Sequence, residues 1–228
     1  MRALIATCIA VALLATGAAA TAAVPAQPAG AASVVGVAQG GVRLAPIDFT
    51  DVNAGDPFYE EIQWLSDQGI TTGYPDGTFR PLGLVTREAM AAFLYRYMVA
   101  DTIPACTGTT RAFTDVPAGH PFCGAIEWMK TEGISTGWDD GTFRPGQPVS
   151  REATAAFLYR MLNDPPTIPA CTGTDRVFTD VPVGHPFCGA IEWMATQNIS
   201  NGWPDGTFRP GLSIERQAMA AFLYRLPV

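Results

Sequence analysis

Three arginines, Arg87, Arg151 and Arg216, recur at steps of 64 and 65 residues, each just inside a segment patterned to begin a helix. A guanidinium there adds a planar donor fork to the positive end of the helix dipole, and together they can receive a carboxylate. Glu88 and Glu152 follow the first two arginines, while Gln217 follows the third. Tyr74, Trp138 and Trp203 hold equivalent loop positions, and such rings can stack on the apolar face of a sugar. The plainer alternatives are arginines paired with nearby carboxylates, and rings packed on the loop's own Phe79, Phe143 and Phe208.

Other candidates for chemistry are weaker. His120 and His185 could form a metal or acid–base pair, but Asp56 stands at the equivalent place, which points to helix capping instead. Asp139-Asp140-Gly141 is acidic, yet Pro75 and Pro204 replace the first Asp elsewhere, which argues against a calcium loop. Glu60, Glu61, Glu127 and Glu192 imitate a glycosidase pair but read more simply as solvent-facing helix charge. Asp51, Asp115 and Asp180 are expected to turn the chain into a helix. No catalytic residue, metal site or cofactor is assigned.

The elements behind these residues are repeated. Phe49-Thr50-Asp51-Val52 recurs at Phe113 and Phe178, Asp76-Gly77-Thr78-Phe79-Arg80-Pro81 at Asp140 and Asp205, and Ala91-Ala92-Phe93-Leu94-Tyr95-Arg96 at Ala155 and Ala220. Motifs in one order, three times over, mark a repeat architecture. Each unit reads as helix, turn-rich loop, helix. Phe58, Ile62 and Leu65 form one apolar stripe on a first helix beginning near Pro57, and Phe122/Ile126/Met129 and Phe187/Ile191/Met194 repeat it. Trp64, Trp128 and Trp193 flank that stripe and are assigned to the core. Gly69, Gly133 and Asn198 should end these helices in the left-handed conformation. Thr86 and Ser150 should cap the second helices, which run to about Met98 and Leu162; Glu215 should cap the third one less well. A unit of this size buries only ~60% of its unfolded surface, so three units sharing a core are expected.

The 228 residues carry 14 Lys+Arg against 21 Asp+Glu, a formal charge of −7 and the wrong sign for a non-specific nucleic-acid binder. Hydrophobic residues make up 48%, too many for a disordered polymer. Met1-Arg2, the apolar run from Ala3 to Leu14 and the small residues after it read as a secretory signal peptide over 1–23. An Ala/Gly/Pro/Val-rich leader follows over 24–45. The repeats then span 46–101, 102–164 and 165–228, with no membrane span in the mature chain and a location outside the cell.

Cys106 and Cys123 lie 17 residues apart, as do Cys171 and Cys188, and the first copy has Val42 and Tyr59 at both equivalent places. That joint absence fits the pairs Cys106–Cys123 and Cys171–Cys188, although four cysteines allow three connectivities. No clustered metal-ligand spacing competes with them.

The Phe-Thr-Asp-Val start, the Ile-x-Trp helix, the Gly-Tyr/Trp-x-Asp-Gly-Thr-Phe-Arg-Pro loop and the Thr-Arg-Glu entry to the second helix together resemble the S-layer homology repeat. The resemblance implies a mainly all-α pseudo-threefold bundle of three helix-loop-helix repeats with short hairpin-like loops and grooves between projecting lobes. It implies a non-enzymatic module that binds a secondary cell-wall polysaccharide, often a pyruvylated and therefore anionic one, and associates non-covalently with the bacterial envelope. The family's arginine motif maps onto Arg87, Arg151 and Arg216, and these with Glu88, Glu152, Tyr74, Trp138 and Trp203 are the expected polysaccharide-binding residues. The altered neighbours Glu215 and Gln217 lead to the expectation that the groove fed by the third copy binds less well. A second expectation, of a different kind, is a structural envelope protein that self-assembles or docks to another surface protein.

Overall fold

The computed structural model describes residues 47–107, 111–163, 166–172 and 176–227; the expected signal peptide and leader lie outside them. Six helices account for the regular structure among these residues: α1 Tyr59–Asp67, α2 Arg87–Met98, α3 Cys123–Thr131, α4 Arg151–Leu162, α5 Cys188–Thr196 and α6 Arg216–Tyr224. Only isolated β-bridges accompany them, so the chain is mainly helical, as its pattern implies.

The first helices begin one or two residues later than expected. Phe58 sits at φ 63°, so the turn around Pro57 is not yet helical, and α1 starts at Tyr59. Their ends obey the glycine and asparagine signal: Gly69, Gly133 and Asn198 all have positive φ, and Ile70 N–H returns to the Leu65 carbonyl. Thr86 and Ser150 each accept a backbone N–H three residues on, at 3.3 Å, whereas Glu215 makes no such cap.

Packing crosses the repeat boundaries. α2 lies against α3, α4 against α5, and α6 against α1, so each helix pair joins the second helix of one repeat to the first helix of the next. Three edge-on aromatic pairs follow the same rule. Tyr95 meets Trp128 edge-on at 5.6 Å, Tyr159 meets Trp193 at 5.5 Å, and Tyr224 meets Trp64 at 5.4 Å. Ile62, Leu65, Ile126, Met129, Ile191 and Met194 are fully buried, joining Phe79, Phe143 and Phe208 in one continuous core.

The segment before each second helix closes the molecule. Val85 N–H donates to the Ile214 carbonyl, Ile214 N–H to Val149, and Val149 N–H to Val85, at 2.9 to 3.0 Å. This ring of three backbone bonds marks the pseudo-threefold axis, and all three residues are buried. Away from the axis, disulfides Cys106–Cys123 and Cys171–Cys188 tie a linker to the first residue of α3 and of α5.

Candidate functional site

Each second helix drives its N-terminus onto the loop of the following repeat. Arg87 and Glu88 N–H groups donate to the carbonyls of Gln147 and Pro145; Arg151 and Glu152 do so to Leu212 and Pro210; Arg216 and Gln217 return to Gly83 and Pro81. Two of the first N–H groups of the helix, which lack partners inside it, are thereby satisfied by a neighbouring repeat. Three inter-repeat seams with the same backbone docking result.

The loops that receive them are held from a distance. Asp51 accepts from Phe79 N–H and Arg80 N–H at 2.7 Å each, and Asp115 and Asp180 repeat this with Phe143/Arg144 and Phe208/Arg209. These aspartates therefore pin the loop some 28 residues ahead rather than turn the chain into α1. The double acceptor holds Arg80, Arg144 and Arg209 at positive φ, a conformation a bulky residue adopts only under such restraint. Within the loop Asp76 accepts from Thr78 and pairs with Arg80 at 2.9 Å, and Asp140 and Asp205 do likewise. Hydrogen bonds from Thr78 and Thr142, then from Arg80 and Arg144, hold the Asp76 and Asp140 carboxyls down at about 2.

Arg87, Arg151 and Arg216 lie deep in the seams, only 6 to 7% exposed. Arg87 Nε donates to the Phe143 carbonyl at 2.6 Å, Arg151 Nε to Phe208 at 2.8 Å, and Arg216 Nε to Phe79 at 2.6 Å. Their guanidinium carbons sit 4.5 to 4.6 Å from the centres of Phe143, Phe208 and Phe79. A cation at a helix N-terminus opposes the dipole, so these residues are not there to stabilise their own helices. Burial pushes the Arg87 and Arg151 pKa values down to about 10, which leaves both charged at neutral pH, and lowers that of Arg216. Among the described residues none has a carboxylate within ion-pair distance, which sets aside the plain surface-pair alternative.

The loop aromatics are arginine platforms. Tyr74 carries Arg80 at 3.9 Å and Arg216 at 4.9 Å, and Trp203 carries Arg209 at 4.5 Å and Arg151 at 4.2 Å. Trp138 carries Arg144 at 4.1 Å and is itself 42% exposed. The loop phenylalanines instead pair with Phe49, Phe113 and Phe178.

Glu88 and Glu152 take part in contacts that sequence alone did not disclose. His120 Nε2 meets Glu88 at 3.1 Å, and His185 Nε2 meets Glu152 at 3.0 Å, each pair bridging two repeats. Nδ1 of each histidine accepts the backbone N–H of Phe122 or Phe187, which assigns the Nε2 proton to the glutamate. The histidines do not cap α3 and α5, whose N-caps are Phe122 and Phe187 with no side-chain cap bond; they order the turn just ahead of each helix. Asp56 differs, because its carboxylate turns back to the backbone and side chain of Asn53. Glu127 and Glu192 also depart from the solvent-facing reading: they accept from Ala112 and Val177 N–H. The one metal-like cluster among the described residues joins Glu127 to Cys106 and Cys123, whose thiols are consumed in the disulfide.

The sequence profile of the S-layer homology domain matches residues 48–91, 112–155 and 177–220, more than half of the chain. The chain is 30% identical to a cellulosome-anchoring protein of Acetivibrio thermocellus over 67% of its own length and 34% of that protein's. It is 29% identical to cell surface glycoprotein 1 of the same organism over 67% of its length, but only 7% of the relative's. With an S-layer protein of Bacillus thuringiensis subsp. finitimus it shares 28% identity over 60% of its length and 16% of the other. The chain thus spans about a third or less of these relatives. None of its described helices is long and apolar enough to cross a membrane. The likeness assigns it to the cell surface or cell wall.

Proposed function

Because the chain belongs to the S-layer homology family, we propose that it is a non-enzymatic module attaching to the bacterial envelope by binding an anionic secondary cell-wall polysaccharide in its inter-repeat seams. The observation that carries this is the set of three buried guanidiniums with no carboxylate partner among the described residues, in a chain of net charge −7. Each lies beside a helix N-terminus, so the dipole and the cation create local positive potential where two repeats meet. Since Nε already holds a loop carbonyl, Arg87, Arg151 and Arg216 act as fixed field sources and groove walls. The more exposed Arg80 and Arg144, with Tyr74, Trp138 and Trp203, offer the direct contacts to the sugar.

The test is co-sedimentation with cell walls, native and after mild acid has removed ketal-linked pyruvate. Binding that is strong to native walls, falls with salt and is lost on stripping supports the reading. Equal binding to both preparations overturns the anionic requirement. A stable oligomer in sedimentation velocity that is indifferent to added polysaccharide would favour self-assembly instead. Arg87→Ala, Arg151→Ala and Arg216→Ala together should weaken wall binding, with circular dichroism as the check on folding, because each change leaves a loop carbonyl unpaired at a cost of about 1–3 kcal/mol.

A further inference from the structure

The three seams are not equivalent. At the first and second, a histidine of the incoming repeat reaches a glutamate of the outgoing one, His120 to Glu88 and His185 to Glu152. At the third, the corresponding residues are Asp56 and Gln217, and no bridge joins them. A cavity of about 500 Å³ opens there, with Asp56, Pro57, Arg80, Pro81, Leu82 and Gln217 among its lining residues. That is within the range of small-ligand sites, roughly 300–1,000 Å³.

Resting on the polysaccharide reading above, we propose that the seam between the third and first repeats is the open saccharide site, and that the His–Glu bridges latch the other two shut. The occupant is one sugar unit of the wall polysaccharide. Leu82 is 70% exposed where the other repeats have Gly146 and Gly211, and with Pro57 and Pro81 it supplies an apolar wall for the C–H face of a pyranose ring. The Asp56 carboxylate has no cationic partner among the described residues and accepts hydroxyl or amide protons from the ligand. The Gln217 side chain donates to Glu215, which leaves its carbonyl oxygen to accept. Arg216 lies behind this seam, its side chain near Gly83, and supplies the positive potential. The third copy's departures from the repeat pattern, which on sequence grounds predict the poorest groove, therefore mark the available one.

The experiment moves the latch. Asp56→His with Gln217→Glu rebuilds the His–Glu pair in the third seam, and His120→Asp with Glu88→Gln removes it from the first. The probe is oligosaccharide released from the producing organism's own cell walls, titrated calorimetrically into the full chain, with thermal unfolding confirming that each variant is folded. The wild type should bind with a stoichiometry of one. The closing pair should weaken that binding by about tenfold or more, and the opening pair should raise the stoichiometry to two. A wild-type stoichiometry of two or three overturns the latch alone, as does an opening pair that leaves the count at one. If the closing pair folds and binds like wild type, the third seam is not the site. No binding by the wild type removes the polysaccharide reading and this inference with it.

Discussion

Asp115 shows how much rests on single carboxylates: two ladder-like bonds to Phe143 and Arg144 N–H fix a loop on which the preceding repeat's second helix docks. Asp115→Ala should cost about 3 kcal/mol in urea unfolding, since hydrogen bonds to charged groups are worth roughly 1.5–3 kcal/mol each and partly compensate. Asp140, tied to Thr142 and Arg144, should titrate near 2 by carbon-detected NMR, and Thr142→Val should move it up toward the ordinary 3.8. The folded-state value is depressed, so whatever stabilisation this carboxylate gives is complete above the unfolded value and lost as pH falls from about 4 toward 2. At this scale the sequence was legible for residue types and positions, including every second-helix arginine. It was not legible for partners. Glu88 and His120 are more than 30 residues apart, and neither helix nor strand periodicity connects them. The joint change of His to Asp and of Glu to Gln in the third seam was the clue, and the first half of it spoke for capping as readily as for a bridge.

Helix boundaries were read well where local chemistry decides them. Thr86, Ser150, Gly69 and Asn198 act through bonds within a few residues, so their identity is enough. α6 lacks the side-chain cap of α2 and α4, and Glu215→Ser should raise stability by about 0.5–1 kcal/mol, measured by thermal unfolding. Helix starts near the prolines were read less well: Phe58 takes a left-handed conformation, and α3 and α5 likewise begin two residues after their prolines. The disulfides staple linkers to α3 and α5; Cys106→Ser with Cys123→Ser should cost about 3 kcal/mol in the chain-entropy account, read as a lowered midpoint in guanidinium. In repeat 2, Gly124 sits where a side chain would strike the Pro104 carbonyl, so the staple and the glycine belong to one device.

For the molecule as a whole, the pooled core of three units was legible from the repeat, but the exchange of helices was not. An apolar stripe has the same pattern whether its partner lies in its own repeat or in the next one. Since α2 packs on α3, α4 on α5 and α6 on α1, a sequence repeat is not a structural lobe. Residues 102–164 expressed alone should show little helix by circular dichroism, having lost the partners of both helices. The residues 46–228, by contrast, should unfold in one transition, with tryptophan fluorescence and far-ultraviolet signals superimposed.

The closed ring of backbone bonds at Val85, Val149 and Ile214 sets a timetable for a chain made from its N-terminus. α2 can find α3 and α4 can find α5 as synthesis proceeds, but α1 must wait for residues 216–224 before Trp64 meets Tyr224. The first of the described helices to emerge is thus the last to be covered, and its greasy side stays available to holding factors until residues 216–224 have appeared.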